Sequence, residues 1–154
     1  MANAVIKDRG WIRISRNIHD LGNQSVKVGL LSGGPSQGGT PIVHYAYWNE
    51  FGTENIPSRP FLRRTIDEQA KTLASRNGKF AQLVRELISA RLNTNQCLDW
   101  IGLYFQNEIR KTIRTSASWA APNSAYTIQL KGSSTPLIDH AMLIGAVNYQ
   151  KTRF

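Results

Sequence analysis

Residues 80–113 read FAQLVRELISARLNTNQCLDWIGLYFQNEIRKTI and carry the clearest periodicity in the chain. Apolar residues recur there every three or four positions, the spacing that places side chains on one face of an α-helix. The pattern breaks at Asn93-Thr94, a polar pair suited to the start of a new helix. We therefore predict two amphipathic helices, with Gly102 in the second allowing close packing. The apolar face of the second helix comprises Leu98, Ile101, Phe105, Ile109 and Ile113.

Outward from this stretch, weaker patterns complete the fold. The remaining predicted elements are helices over 11–21, 43–51 and 60–77, a helix start near 126, and strands over 25–31 and 145–151. The stretch 32–41 has no apolar residue and predicts a flexible loop. A helical turn capped by Asp139 is predicted over 137–144. These elements indicate an α+β fold, a small antiparallel sheet packed against about three main helices, in a single domain spanning 1–154.

Composition excludes several classes of protein. The 154 residues are 41% hydrophobic and 19% charged, which suits a folded domain rather than a disordered chain. No apolar run approaches the roughly 18–20 residues that span a bilayer, and the first residues do not have the layout of a signal peptide. The single cysteine, Cys97, cannot form an internal disulfide. We expect a protein made in the cytoplasm without a membrane partner.

A net charge of +9 favours an acidic partner such as nucleic acid, anionic lipid or a negative protein surface. Residues 59–91 alone hold eight Lys or Arg against three acids. These basic residues are spread over some thirty positions, so they form no compact nucleic-acid-binding block. They are compatible with a solvated helical face as well as with contact to an anion.

The residues that usually carry catalysis are scattered. His19, His44 and His140 lie far apart, and none has the i, i+4 spacing of a helical zinc site. The glycines within 33–39 are not followed by the Gly-Lys-Ser/Thr of a phosphate loop. Cys97 adjoins an apolar stripe and is interpreted as a small buried hydrophobe. We expect no enzymatic activity and no cofactor.

The segment 45–61 is unusual because it combines aromatic residues, prolines and glycines within a helical protein. Some of these aromatics must belong to the core, but aromatic and Arg residues also dominate protein–protein contacts. A helix ended by Gly52 and followed by Pro57 and Pro60 would fix the backbone and hold neighbouring polar groups ready for a partner.

Two runs in this region, Asn49-Glu50-Phe51-Gly52-Thr53 and Ile56-Pro57-Ser58-Arg59-Pro60-Phe61-Leu62-Arg63, resemble the signature of the neck and tail-completion proteins of tailed bacteriophages. That family has Ala where this chain has Ser58, and Thr-Gly where it has His140-Ala141. Weaker similarities keep the family order over residues 26–150. They are Val26-Lys27-Val28-Gly29, Gly102 with Glu108-Ile109, Thr127-Ile128, Lys131-Gly132-Ser133-Ser134 and Pro136-Leu137-Ile138-Asp139.

The resemblance implies a non-enzymatic virion structural protein of the neck, which joins the head to the tail or completes the head-proximal end of the tail. Such a protein forms a ring of identical subunits and contacts head–tail connector and tail tube or tail terminator proteins. A basic nucleic-acid-binding domain is the alternative that the charge leaves open.

We assign roles to residues of the segment 45–61 and to three basic residues that follow it. The residues expected at a subunit or partner contact are Trp48, Glu50, Thr53 and Arg59. The residues expected to anchor the segment are Phe51, Gly52, Pro57, Pro60 and Phe61. The residues expected to face packaged DNA or an acidic partner ring are Arg63, Arg64 and Lys71.

Overall fold

Helices dominate the computed structural model, which describes residues 9–31, 34–137 and 142–154. The α-helices within those ranges are α1 (Arg9–Gly22), α2 (Ile42–Phe51), α3 (Phe61–Ala74), α4 (Lys79–Ile88), α5 (Thr94–Arg114), α6 (Ala125–Lys131) and α7 (Met142–Ala146). A 3-10 turn spans Ser116–Ser118. The strands are β1 (Gln24–Leu30), β2 (Ser36–Gln37), β3 (Thr40–Pro41) and β4 (Val147–Arg153). The α+β class with a small antiparallel sheet, predicted from the sequence, is confirmed.

The larger sheet pairs β1, which follows the first helix, with β4, the last strand of the chain. Strands β1 and β4 pair antiparallel from Gln24↔Arg153 to Leu30↔Val147. One face of this ribbon lies on α5, where the Tyr149 ring covers Gly102 so closely that a Cβ at residue 102 would overlap it. The predicted close packing at Gly102 is therefore confirmed, and its partner is the last strand.

The start of α5 shows why the apolar pattern breaks at Asn93. The Asn93 side chain accepts a hydrogen bond from the Gln96 N–H at 2.9 Å, and the Gln96 side chain accepts one from the Asn93 N–H at 2.9 Å. This reciprocal capping box satisfies backbone donors that a helix N-terminus leaves free. It fixes the beginning of the longest helix, against which most other elements pack.

The buried apolar residues form two clusters on either side of α5. The larger one comprises Ile42, Ala46, Phe61, Ile109, Ile113, Leu137, Leu143 and Val147. The smaller one comprises Leu83, Leu87 and Cys97. Cys97 is 2% exposed, which confirms its interpretation as a buried hydrophobe.

Some predicted apolar faces are not buried. Trp11 and Ile18 of α1 are 65% and 53% exposed, and Ile66 of α3 is 51% exposed. Helix α1 docks through Leu21, which packs against the smaller cluster, and through the Asn17 backbone carbonyl, which accepts a hydrogen bond from the Thr94 hydroxyl at 3.0 Å.

The segment expected to be a flexible loop contains a small β2–β3 hairpin, with Ser36 paired to Pro41 and Gln37 to Thr40. Residues 32–33 of that segment lie outside the described residues, so its predicted flexibility stays a prediction. The cap assigned to Asp139 also lies outside them.

Candidate functional site

The turn after α2 depends on a glycine. Gly52 has φ 78°, a conformation that L side chains rarely adopt, and its N–H donates to the Trp48 carbonyl at 2.8 Å. A Cβ at this position would lie 3.0 Å from the Ser58 nitrogen and 3.2 Å from the Ile56 carbonyl oxygen. The predicted role of Gly52 is confirmed: the chain folds back against it.

Thr53 continues this turn. Its hydroxyl oxygen accepts hydrogen bonds from the Ile56 N–H at 3.1 Å and the Asn55 N–H at 3.3 Å. Thr53 is exposed to solvent, and its contact with a partner stays a prediction.

Glu50 lies inside the protein, at 6% exposure. Its Oε2 accepts from the Leu62 N–H at 2.9 Å and its Oε1 from the Arg63 N–H at 3.0 Å. The carboxylate therefore caps the N-terminus of α3, where backbone donors and the helix dipole both favour negative charge. The expectation that Glu50 meets a neighbouring subunit is corrected, because both its oxygens are engaged within the chain.

Arg59 is likewise internal, at 7% exposure. Its Nε donates to the Ala121 carbonyl at 2.7 Å, and its Nη2 donates to the Pro122 carbonyl at 2.9 Å and to Asn123 Oδ1 at 3.2 Å. Its Nη1 donates to Asn49 Oδ1 at 3.1 Å. Arg59 thus ties α2 to the stretch that precedes α6, and its assignment to a subunit contact is corrected to this internal role.

Burial has an electrostatic consequence for Arg59. Loss of solvation lowers the pKa of its guanidinium from the ordinary value. The acceptors around it are neutral amide oxygens, which solvate the cation without cancelling its charge.

The two phenylalanines of the segment behave differently. Phe61 is 0% exposed and belongs to the larger core, so its predicted anchoring role is confirmed. Phe51 is 57% exposed, and its predicted anchoring role is wrong. The reason is helical geometry: Glu50 faces inward to cap α3, and the next residue lies about 100° further round the helix.

Pro57, Pro60 and Trp48 differ in how far they are buried. Pro60 directly precedes the first residue of α3, and Pro57 is exposed on the turn. Trp48 is half-buried, with its ring 5.3 Å from that of Tyr45 in an edge-to-face arrangement. Its contact with a partner stays a prediction.

An exposed apolar row runs along the outside of α2. We call Val43, Tyr47 and Phe51 the outer α2 stripe; they are 39%, 60% and 57% exposed. The rings of Tyr47 and Phe51 lie 4.8 Å apart, and the Arg63 guanidinium lies 6.0 Å from the Phe51 ring. Aromatic residues beside an Arg are the composition typical of protein–protein contacts.

Sequence reasoning missed Val43 and Tyr47 as surface residues, although their spacing to Phe51 is i, i+4, i+8. The signal that could have found them is Glu50. Glu50, with Ile42 and Ala46, marks the buried side of α2, and the next positions round the helix, Val43, Tyr47 and Phe51, are then left toward solvent.

The basic residues assigned to DNA or an acidic ring differ in availability. Arg64 forms an ion pair with Glu68 at 2.8 Å and lies 4.9 Å from the Trp119 ring, so it is partly engaged. Arg63 and Lys71 are exposed. A role for all three toward an anionic partner stays a prediction.

Within residues 9–31, 34–137 and 142–154, no three His, Cys, Asp or Glu side chains come together in a way that could hold a metal ion. The same part of the chain contains no helix that is long and apolar enough to cross a membrane.

Comparison of the chain with protein-family models, curated proteins and solved structures gives no significant match.

Proposed function

We propose that this protein is a non-enzymatic structural protein of a tailed-bacteriophage neck, located in the virion. In this proposal it joins the head to the tail, or completes the head-proximal end of the tail, as a ring of identical subunits. Its partners are the adjacent head–tail connector and the tail tube or tail terminator protein.

The observation that carries the proposal is the outer α2 stripe, an aromatic surface on a rigidly held helix. Glu50 on the same helix caps the start of α3, and Arg59 ties α2 to the stretch before α6, so the stripe needs no further ordering before it meets a partner. Tyr47 and Phe51 each expose more than half of their surface. The sequence resemblance around Gly52 supports the same function.

A closed ring needs a contact in which different surfaces of neighbouring subunits meet. We propose the outer α2 stripe as one of these two surfaces, with Arg63 at its edge. This replaces the contact first expected at Glu50 and Arg59, whose polar groups are engaged internally.

A basic nucleic-acid-binding domain remains the second candidate, and the charge of +9 favours it. Several basic residues of the stretch 59–91 are already engaged, which weakens it. Arg59 is buried, Arg64 pairs with Glu68, and the Lys79 ammonium lies 5.0 Å from the Tyr104 ring. Binding to DNA that falls steeply with salt, and falls further in an Arg63→Glu, Lys71→Glu variant, would favour this candidate.

The deciding experiment is complementation of a phage from which the gene for this chain has been deleted. We expect the deletion to leave filled heads and separate tails in electron micrographs, and the wild-type protein to restore joined particles. The Tyr47→Ser, Phe51→Ser variant should fold normally but fail to restore them.

The matched control is Val84→Ser, Ile88→Ser, which removes two apolar side chains, each 47% exposed, from α4. It should complement like wild type. Joined, infectious particles from the deletion phage alone would refute the proposed function. Full complementation by the Tyr47→Ser, Phe51→Ser variant would instead refute only the assignment of the contact surface.

A further inference from the structure

A cavity of about 300 Å³ opens beside Arg59, between α2, the turn after Gly52 and the start of α6. Its volume is within the range of small-molecule and side-chain binding pockets, about 300–1,000 Å³. None of the roles described above uses this cavity, which lies on the other side of the turn from the helix that Glu50 caps.

Arg59 supplies to the cavity wall a positive charge that no described carboxylate compensates. Its guanidinium has five N–H groups, and four of them donate to oxygens of Asn49, Ala121, Pro122 and Asn123. The second N–H of Nη1 has no acceptor among the described residues, and no described carboxylate pairs with the cation. Because a buried charge is costly unless it is paired, an anion in the cavity would be stabilised there.

The other walls restrict the anion. Ile42, Leu137 and Leu143 form an apolar side, which suits carbon rather than a second charged group. Asn55 and Thr127 line the cavity as neutral polar residues and add no further positive charge. A doubly charged phosphate would need more positive charge than Arg59, the one cation among the described lining residues, supplies. A single carboxylate on a short apolar stem matches both sides.

We propose that this cavity is a binding site for a carboxylate carried by a short, branched apolar stem. The carboxylate accepts a hydrogen bond from Nη1 of Arg59, and the stem lies against Leu137 and Leu143. The guanidinium is already held by its four internal hydrogen bonds, so binding requires no movement of Arg59.

The test is an NMR titration of the full chain with 3-methylbutanoate, using the side-chain amide signals of Asn49, Asn55 and Asn123. We expect saturable shifts of these signals at millimolar concentration. The neutral isostere 3-methylbutanamide should bind at least about tenfold more weakly, since it lacks the charge that Arg59 attracts. A parallel titration with the capped peptide acetyl-Leu-Asp-Leu-amide distinguishes a free acid from an acidic side chain of a protein segment.

Asn55→Asp places a negative charge at the exposed rim of the cavity without touching the core. It should weaken the binding of 3-methylbutanoate at least about tenfold, because like charges repel. The matched variant Asn55→Gln keeps the rim neutral and should change the affinity less than about threefold. Equal binding of the acid and the amide, or equal binding of the acid to the Asn55→Asp and Asn55→Gln variants, would overturn the proposal. So would an absence of saturable shifts at all three asparagines of the wild type.

Discussion

Replacement of Arg59 by alanine separates an internal role from a subunit-contact role. The subunit contact expected of Arg59 from the sequence would mean that this change leaves the fold nearly intact and weakens assembly. The structure reverses that expectation, because the guanidinium bridges Asn49 of α2 to the carbonyls of Ala121 and Pro122. We therefore expect Arg59→Ala to destabilise the isolated protein.

The size of the effect follows from what is lost. Hydrogen bonds from a charged donor contribute about 1.5–3 kcal/mol each, so four would sum to about 6–12 kcal/mol if they were independent. They are not independent, and the adjoining cavity admits water to the freed carbonyls. We expect a loss of about 3–5 kcal/mol in the free energy of unfolding, because each neutral acceptor left without its donor costs about 1–3 kcal/mol where water does not reach it. For a chain of this length that is a fall of roughly 6–20 °C in melting temperature.

Urea denaturation of the purified protein, followed by circular dichroism, measures this directly. Arg63→Ala is the matched control, since Arg63 is exposed and its guanidinium, 6.0 Å from the Phe51 ring, has no hydrogen bond or ion pair with a described residue. It should cost less than about 0.5 kcal/mol. Arg59→Lys should recover only part of the loss, because an ammonium cannot reproduce the planar set of donors. Equal stabilities of Arg59→Ala and Arg63→Ala would refute the internal role.

Four further substitutions, one of them a control, test other positions. Glu50→Gln should lower the free energy of unfolding by about 1–3 kcal/mol in urea titrations. The two Glu50 oxygens each accept a hydrogen bond from a backbone N–H group, and in the variant the amide NH₂ would face one of these donors. Gly102→Ala should cost about 1–3 kcal/mol through overlap with Tyr149, whereas Gly145→Ala, with open space around it, should be neutral or stabilising by calorimetry. Burial raises the pKa of the Cys97 thiol, so the folded protein holds this proton to a higher pH than the unfolded chain does. As the pH rises above about 8.5, the ordinary pKa of a thiol, the wild type should therefore lose stability more steeply than Cys97→Ala, and a parallel pH dependence of the two would contradict this.

Local signals in the sequence were sufficient for the main helices and for β1 and β4, but not for the short β2–β3 hairpin, whose segment was expected to be a loop. The break at Asn93, the Gly52 turn and the spacing of Ile109 and Ile113 each depend on neighbouring residues, and the structure places all of them as predicted. The pairing of β1 with β4 was not assigned, since it joins segments more than a hundred residues apart and no local pattern encodes it.

The site was harder to predict, because composition does not tell whether a polar residue faces a partner or its own chain. Glu50 and Arg59 have the charges expected of a contact surface, yet both bind the backbone of their own chain, at α3 and at residues 121–122. A charged side chain binds its own chain where nearby backbone N–H or C=O groups lack other hydrogen-bond partners. The N–H groups in the first turn of α3 have no acceptor within the helix, and the chain after the 3-10 turn directs carbonyls to the interior.

This distinction changes where a partner contact is sought. The Glu50 carboxylate and the four bonded N–H groups of Arg59 hold the segment around Gly52 against its own chain, so these groups are not available to a neighbouring subunit. The exposed face of α2 differs: Tyr47 and Phe51 are exposed, and their rings lie 4.8 Å apart on the helix that carries the Glu50 cap. Glu50→Gln should therefore weaken any partner contact indirectly, by loosening α2, whereas Phe51→Ser should weaken it with the stability of the subunit nearly unchanged. Measuring both stability and complementation for the two variants separates support of the surface from the surface itself.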